Sequence, residues 1–222
     1  FRSPYRAQES QTPMPIFENS GMILIIVAAL SYLLGSVPFG IVVSRLFGLA
    51  DPRSIGSGKN GANNVMRSGS KPAAALTVLL DGAKGGIAVL IARATIGEDA
   101  AQLAALTAFL GHLYSVWLGF KGGKGVATFL GTVLALSPLI GAAACGIWLV
   151  TVAIFRMSSL GGIMAPALAP LAAIALGHSD KAVVLAAMAV FVWWRHRENI
   201  TRIANGTEPK VGQSKAPKDT SE

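Results

Sequence analysis

VATFLGTVLALSPLIGAAACGIWLVTVAIF, residues 126–155, is the run whose threading decides the fold. It is too long for one ordinary membrane span, which needs about 20 apolar residues, and Pro138 sits near its middle. Lys121 and Lys124 precede it and Arg156 follows it. Short loops rich in Lys and Arg stay on the cytoplasmic side of a membrane. A single crossing would separate these cations across the bilayer. Two crossings, with a bend where proline interrupts the helix, keep them together. Two crossings are therefore the expectation.

The same logic extends along the chain. Further apolar runs lie at 22–47, 72–96, 100–118, 160–177 and 181–194. Arg53, Lys59, Arg67 and Lys71 fall in the loop after the first run, and Arg195, Arg197 and Arg202 follow the last. The alternate turns, Gly97-Glu98-Asp99 and 177–180, carry no Arg or Lys. The reading is an all-α integral membrane protein of about seven transmembrane helices, some short or broken. Its N-terminus lies outside and its C-terminus inside, although Arg2 and Arg6 run against that orientation. Residues 1–20 read as a flexible tail, 21–208 as a single membrane domain and 209–222 as a second flexible tail. All basic, glycine- or asparagine-bearing loops then share one face.

Composition agrees. The chain has 222 residues, 52% apolar and 14% charged, against about 25% charged in soluble domains. Its 19 basic and 11 acidic residues are dispersed over short loops, which argues for a lipid surface and against nucleic acid. Cys145 is alone, so neither a disulfide framework nor a thiolate metal cluster forms within one chain.

Three polar segments carry candidate chemistry. Gly119-Phe120-Lys121-Gly122-Gly123-Lys124-Gly125 is a cationic glycine turn at a helix mouth, suited to an anion or simply to interfacial lysines on a flexible turn. Ile55-Gly56-Ser57-Gly58-Lys59-Asn60-Gly61-Ala62-Asn63-Asn64-Val65-Met66-Arg67 concentrates donors where Gly and Asn tolerate positive φ, again an anion loop or an ordinary turn. In Trp193-Trp194-Arg195-His196-Arg197-Glu198-Asn199, the tryptophans and Arg195 fit an interfacial belt. His196 and Asn199, with Arg202 three further on, share a helix face and suit a hydroxylated phosphoester. Asp81 and Lys84, on the same helix face inside an apolar run, read first as an ion pair, with Lys84 a candidate for the cavity. His112 reads as a helix-contact residue or a catalytic one, and His178 as a surface residue of the opposite turn. The nucleotide P-loop, the G-x-S-x-G elbow and an H-x-x-x-x-D acyltransferase pattern are all missing. Few carboxylates face this side, so neither a metal nor a cofactor is expected.

GSVPFG (35–40), IGSGKNGANNVMR (55–67), LLDGAKGG (79–86), GHLYSVWLGFKGGKGVAT (111–128) and RHRENITRI (195–203) together resemble the bacterial acyl-phosphate:glycerol-3-phosphate acyltransferases of the PlsY family. The likeness runs in order over about residues 22 to 208. It implies a seven-helix enzyme of the bacterial inner membrane with a cytoplasmic site. Such an enzyme moves an acyl group from acyl-phosphate, supplied by an upstream acyl-phosphate-forming enzyme, to the 1-hydroxyl of sn-glycerol 3-phosphate. Lysophosphatidic acid and phosphate result, with no covalent acyl-enzyme. Ser57, Lys124, His196 and Asn199 are the expected catalytic residues. Gly56, Gly58, Asn64, Arg67, Lys84, Gly122, Gly123, Gly125, Thr128, Ser159 and Arg197 are the expected substrate contacts. Lys59 and Asn63 depart from the family pattern, which has Asn and Thr there. A transporter or channel for organic phosphates is the competing class; it would need basic groups towards both faces.

Overall fold

The computed structural model describes residues 20–212, within which ten α-helices follow one another. They are α1 (Gly21–Ser36), α2 (Phe39–Leu46), α3 (Ala62–Arg67), α4 (Lys71–Thr95), α5 (Glu98–Leu113), α6 (Val126–Leu136), α7 (Pro138–Phe155), α8 (Ser158–Ala175), α9 (Ala182–Arg195) and α10 (Arg197–Ala204). The long run is indeed two helices. Ser137 between them is extended (φ −153°, ψ 112°) and its hydroxyl accepts the Ile140 N–H. Pro138 occupies the first position of α7, where its missing N–H costs nothing. The chain then doubles back, so closely that a Cβ on Gly141 would lie 2.4 Å from Leu134 Cα.

Five helical segments are long and apolar enough to cross a membrane: Gly21–Leu46, Lys71–Thr95, Glu98–Leu118, Pro138–Phe155 and Ser158–Ala175. α6 is shorter, with 11 residues, or about 16 Å of rise, and α9 has 14. The first apolar run is broken at Val37–Pro38. Pro38 cannot continue the hydrogen-bond ladder of α1, and α2 starts after it.

Helices in lipid approach closely only where side chains are small. α4 and α6 meet through glycines: a Cβ on Gly131 would lie 2.2 Å from the Gly82 carbonyl oxygen. α1 and α5 do the same, with Gly35 against the Ala108 carbonyl. Phe109, Leu113, Phe129, Val133, Leu185 and Met188 fill the interior between α5, α6 and α9. Leu30, Leu79, Leu90, Ile154 and Val190 point outwards, as lipid-facing residues should.

The two ends of the bundle are closed differently. At the end holding Ser137, Arg93 donates to the last carbonyls of α6, Ala135 (2.5 Å) and Leu136 (2.9 Å), and to Glu98 (2.7 Å). Lys181 joins Glu98 (3.0 Å) and Asp180 (2.7 Å), which ties the α8–α9 turn to the same brace. At the other end, the segment after α10 folds back. The Val211 N–H donates to the Arg156 carbonyl (2.6 Å) and the Arg156 guanidinium donates to the Val211 carbonyl (3.3 Å). These two bonds hold the segment around Val211 against the turn between α7 and α8. Residues 1–19 and 213–222, the rest of the expected tails, lie outside the described residues.

Candidate functional site

At the end carrying Arg156, the starts of α3, α6, α8 and α10 surround a cavity of about 520 Å³. Two hydrogen-bonded relays form its walls. The first centres on Asn64, which is buried at the third position of α3. Its Nδ2 donates to the Lys59 carbonyl (2.7 Å) and to Ser57 Oγ (3.1 Å), while its Oδ1 accepts from Arg67 Nη1 (3.2 Å). Gly56 turns the loop over that guanidinium at φ +61°, and a Cβ there would sit 2.2 Å from Arg67 Nη1. Asn63 Nδ2 donates to Ser158 Oγ (3.2 Å), linking this wall to the start of α8.

The second relay starts at Lys124. Its ammonium donates to Asn199 Oδ1. Asn199 Nδ2 donates to Glu208 (2.6 Å), whose other oxygen accepts from Arg202 Nε (2.8 Å). Burial raises the Glu208 carboxyl, but the nearby Ser159 hydroxyl and the hydrogen bonds from Asn199 and Arg202 outweigh it and hold the group below the usual range. Burial lowers Lys124 to about 8, only partly offset by Glu208. His196 is 2% exposed. Its Nδ1 lies 2.8 Å from the Val192 carbonyl, which can only accept, so Nδ1 carries the proton and Nε2 is left as an acceptor. Burial first, then the Lys124 charge, depresses this imidazole to about 4. It is therefore neutral at physiological pH.

Of the residues expected from sequence, Gly56, Ser57, Asn64, Arg67, Lys124, Gly125, Ser159, His196 and Asn199 line this one cavity. Others do not. The Gly122 and Gly123 amides donate to the Leu113 and His112 carbonyls (both 3.1 Å), and Arg195 holds their own carbonyls at 2.7 and 3.0 Å. These amides are therefore unavailable to an anion. The glycines are needed for close approach, because a Cβ on Gly123 would lie 2.2 Å from His112 Nε2. Lys84 is bound to Asp81 (2.8 Å) and the Val37 carbonyl (2.7 Å), an ion pair inside the bundle. Thr128 is fully buried, with its methyl 3.0 Å from where a Gly85 Cβ would stand. Gly58 makes a turn at φ +67° outside the cavity. Arg197 is exposed and stacks on Trp194 at 5.3 Å.

His112 and Asp81 reach the cavity together, with Nδ1 3.6 Å from Oδ1. His178 starts the turn at the far end of the bundle. Glu208 was missed by sequence reasoning. It sits in a turn of unremarkable composition, and only the folded-back chain brings it to Asn199. Val78, Val126, Ala127, Leu130 and Trp148 supply an apolar flank. Among the described residues no three His, Cys, Asp or Glu side chains gather as metal ligands.

Comparison with known proteins fits this arrangement. A family profile described as glycerol-3-phosphate acyltransferase matches residues 25–206. A protein of that name from a Jannaschia species (strain CCS1) is 60% identical over 201 residues, covering 90% of this chain and 99% of the relative. One from Cereibacter sphaeroides is 58% identical over 208 residues, covering 94% of this chain and 99% of the relative. A crystal structure of PlsY (YgiH), an integral membrane glycerol 3-phosphate acyltransferase in its glycerol 3-phosphate form, superposes with a TM-score of 0.80. It is 38% identical, covering 86% of this chain and 96% of that one.

Proposed function

This chain belongs to the glycerol-3-phosphate acyltransferase family, and on that footing we propose that it uses an acyl phosphate to acylate the 1-hydroxyl of sn-glycerol 3-phosphate. The products are lysophosphatidic acid and inorganic phosphate. The observation that carries this reading is the pair of cationic relays facing each other across one cavity beside an apolar flank. That is the geometry two anionic headgroups and one acyl tail require.

The donor phosphate lies against Gly56, Ser57, Asn64 and Arg67. Glycerol 3-phosphate lies against Lys124, Asn199 and Ser159, with Gly125 opening α6 beneath it. His196 Nε2 accepts a hydrogen bond from the attacking hydroxyl and orients it. An imidazole held at about 4 is a weak base, so the departing phosphate takes the proton as the hydroxyl oxygen bonds to the acyl carbon and the bond from that carbon to the bridging phosphate oxygen breaks. No side chain is acylated. The mixed anhydride is already activated, and fixing two reactants against each other while neutralising their charge supplies the rate.

The enzyme sits in the bacterial inner membrane as one domain. Counting α6 and α9 gives seven crossings, with the N-terminus periplasmic and the cavity and C-terminus cytoplasmic. An upstream acyl-phosphate-forming enzyme supplies the donor. At the other end of the bundle Arg93 and Lys181 are engaged by Glu98, Asp180 and backbone carbonyls, which weighs against a conduit for organic phosphates.

Purified protein given radiolabelled glycerol 3-phosphate and palmitoyl phosphate tests the activity. Label is expected in extractable lysophosphatidic acid; label transferred only from acyl-CoA overturns the donor. A cysteine placed at Lys121 that reacts with an impermeant reagent outside intact cells overturns the orientation.

A further inference from the structure

Lys59 lies on the cavity wall, and neither relay uses its side chain. Its backbone is fixed, because its carbonyl accepts from Asn64 Nδ2 at 2.7 Å. Its ammonium has no hydrogen-bonding or ion-pairing partner among the described residues. Burial, together with the Arg195, Arg197 and Lys121 charges, lowers its pKa, and only Glu198 works the other way. Its charge in turn adds to the depression of Lys124. An unpaired cation held among cations is unfavourable in the empty protein. It becomes favourable when an anion enters the cavity.

We propose that Lys59 binds the phosphate of the acyl donor, and afterwards the inorganic phosphate product, from the Ser57 side of the cavity. This rests on the donor lying against the Ser57 loop. The ammonium reaches a non-bridging phosphate oxygen, adds a charge-assisted hydrogen bond to those of Ser57 and Arg67, and relieves the repulsion around itself. Lys59 thereby sets donor affinity and product retention, while glycerol 3-phosphate is held by the Lys124 relay.

Steady-state kinetics of Lys59→Gln and Lys59→Arg test this. Lys59→Gln should raise the KM for palmitoyl phosphate about tenfold, equivalent to about 1.4 kcal/mol, and the inhibition constant of orthophosphate by the same factor. The KM for glycerol 3-phosphate should stay within about twofold, and Lys59→Arg should restore most of the donor affinity. A rise confined to glycerol 3-phosphate, or no change in either KM, overturns the assignment. A second readout uses the wild-type protein alone: orthophosphate should slow reductive dimethylation of Lys59 but not that of exposed Lys71, scored by mass spectrometry. Equal rates at Lys59 with and without orthophosphate overturn the proposal. If wild-type protein makes no lysophosphatidic acid from palmitoyl phosphate, the donor reading fails, and the labelling result still decides whether Lys59 binds phosphate.

Discussion

Replacing Gly123 with alanine puts a methyl group 2.2 Å from His112 Nε2, 3.0 Å from Cε1 and 3.2 Å from Cδ2. Comfortable contact is about 3.5 Å, so something must move by about 1 Å. The His112 ring is buried beside Asp81 and has little room to swing. Gly123 itself is held by the His112 carbonyl and Arg195. The loop must therefore lift, carrying Lys124 away from Asn199. A misplacement of about 1 Å costs up to about 100-fold in rate, or about 2.7 kcal/mol of barrier. Gly123→Ala should thus lower kcat/KM for glycerol 3-phosphate by about two orders of magnitude in a lysophosphatidic acid assay. His112→Ala removes the obstruction, so its loss and that of Gly123→Ala should combine far less than additively in a double-mutant cycle. Gly146→Ala is the control: nothing lies within 4 Å of its added methyl, and a helix-interior alanine stabilises by about 1 kcal/mol. Wild-type kcat/KM in Gly123→Ala, or strict additivity with His112→Ala, refutes the reasoning.

Four further outcomes are expected. Glu208→Gln loses the ion pair to Arg202 and loosens Asn199; about 2 kcal/mol should appear as a drop of about 30-fold in kcat/KM in the same assay. Lys124 is cationic below about 8, so kcat/KM for glycerol 3-phosphate should hold on the acid side and fall as pH rises through that value. A bound phosphate raises the Lys124 pKa, moving the break in kcat to higher pH, and Lys124→Arg should flatten the profile because arginine stays charged. His196→Ala should reduce kcat at least about tenfold without moving the pH profile between pH 5 and 8, since the ring is already neutral there. Arg93→Met strips the cap from the α6 carbonyls and the Glu98 pair at the far end. It should lower the melting temperature in detergent by several degrees while leaving kcat/KM at the wild-type value.

What the sequence makes legible follows the range of the physics involved. The split at Ser137–Pro138 is readable because length, proline and loop charge all demand it. The break at Val37–Pro38 passes unnoticed because apolar residues continue on both sides of a single proline. Lys124, His196 and Asn199 are readable because cations and amides at a helix mouth have few other uses. The glycines are harder. Composition says that Gly122 and Gly123 need freedom from a side chain, but an anion and a neighbouring helix end impose the same need; here the His112 ring and carbonyl supply the reason. The Asp81–Lys84 pair is readable from its spacing, but the Val37 carbonyl that also takes up the Lys84 ammonium is not. Glu208 leaves no local mark. Its significance lies in Asn199 and Arg202, which reach it from α10.

Glu208 and Pro209 wall the cavity from beyond the last helix, and the Val211–Arg156 exchange pins that segment in place. The site thus draws on segments far apart in the chain, from Gly56 before α3 to Glu208 after α10. A variant cut back to Ala204 would retain every helix from α1 to α10 and yet lack the carboxylate that orients Asn199. Such a shortened protein would occupy the membrane without consuming phosphorylated precursors.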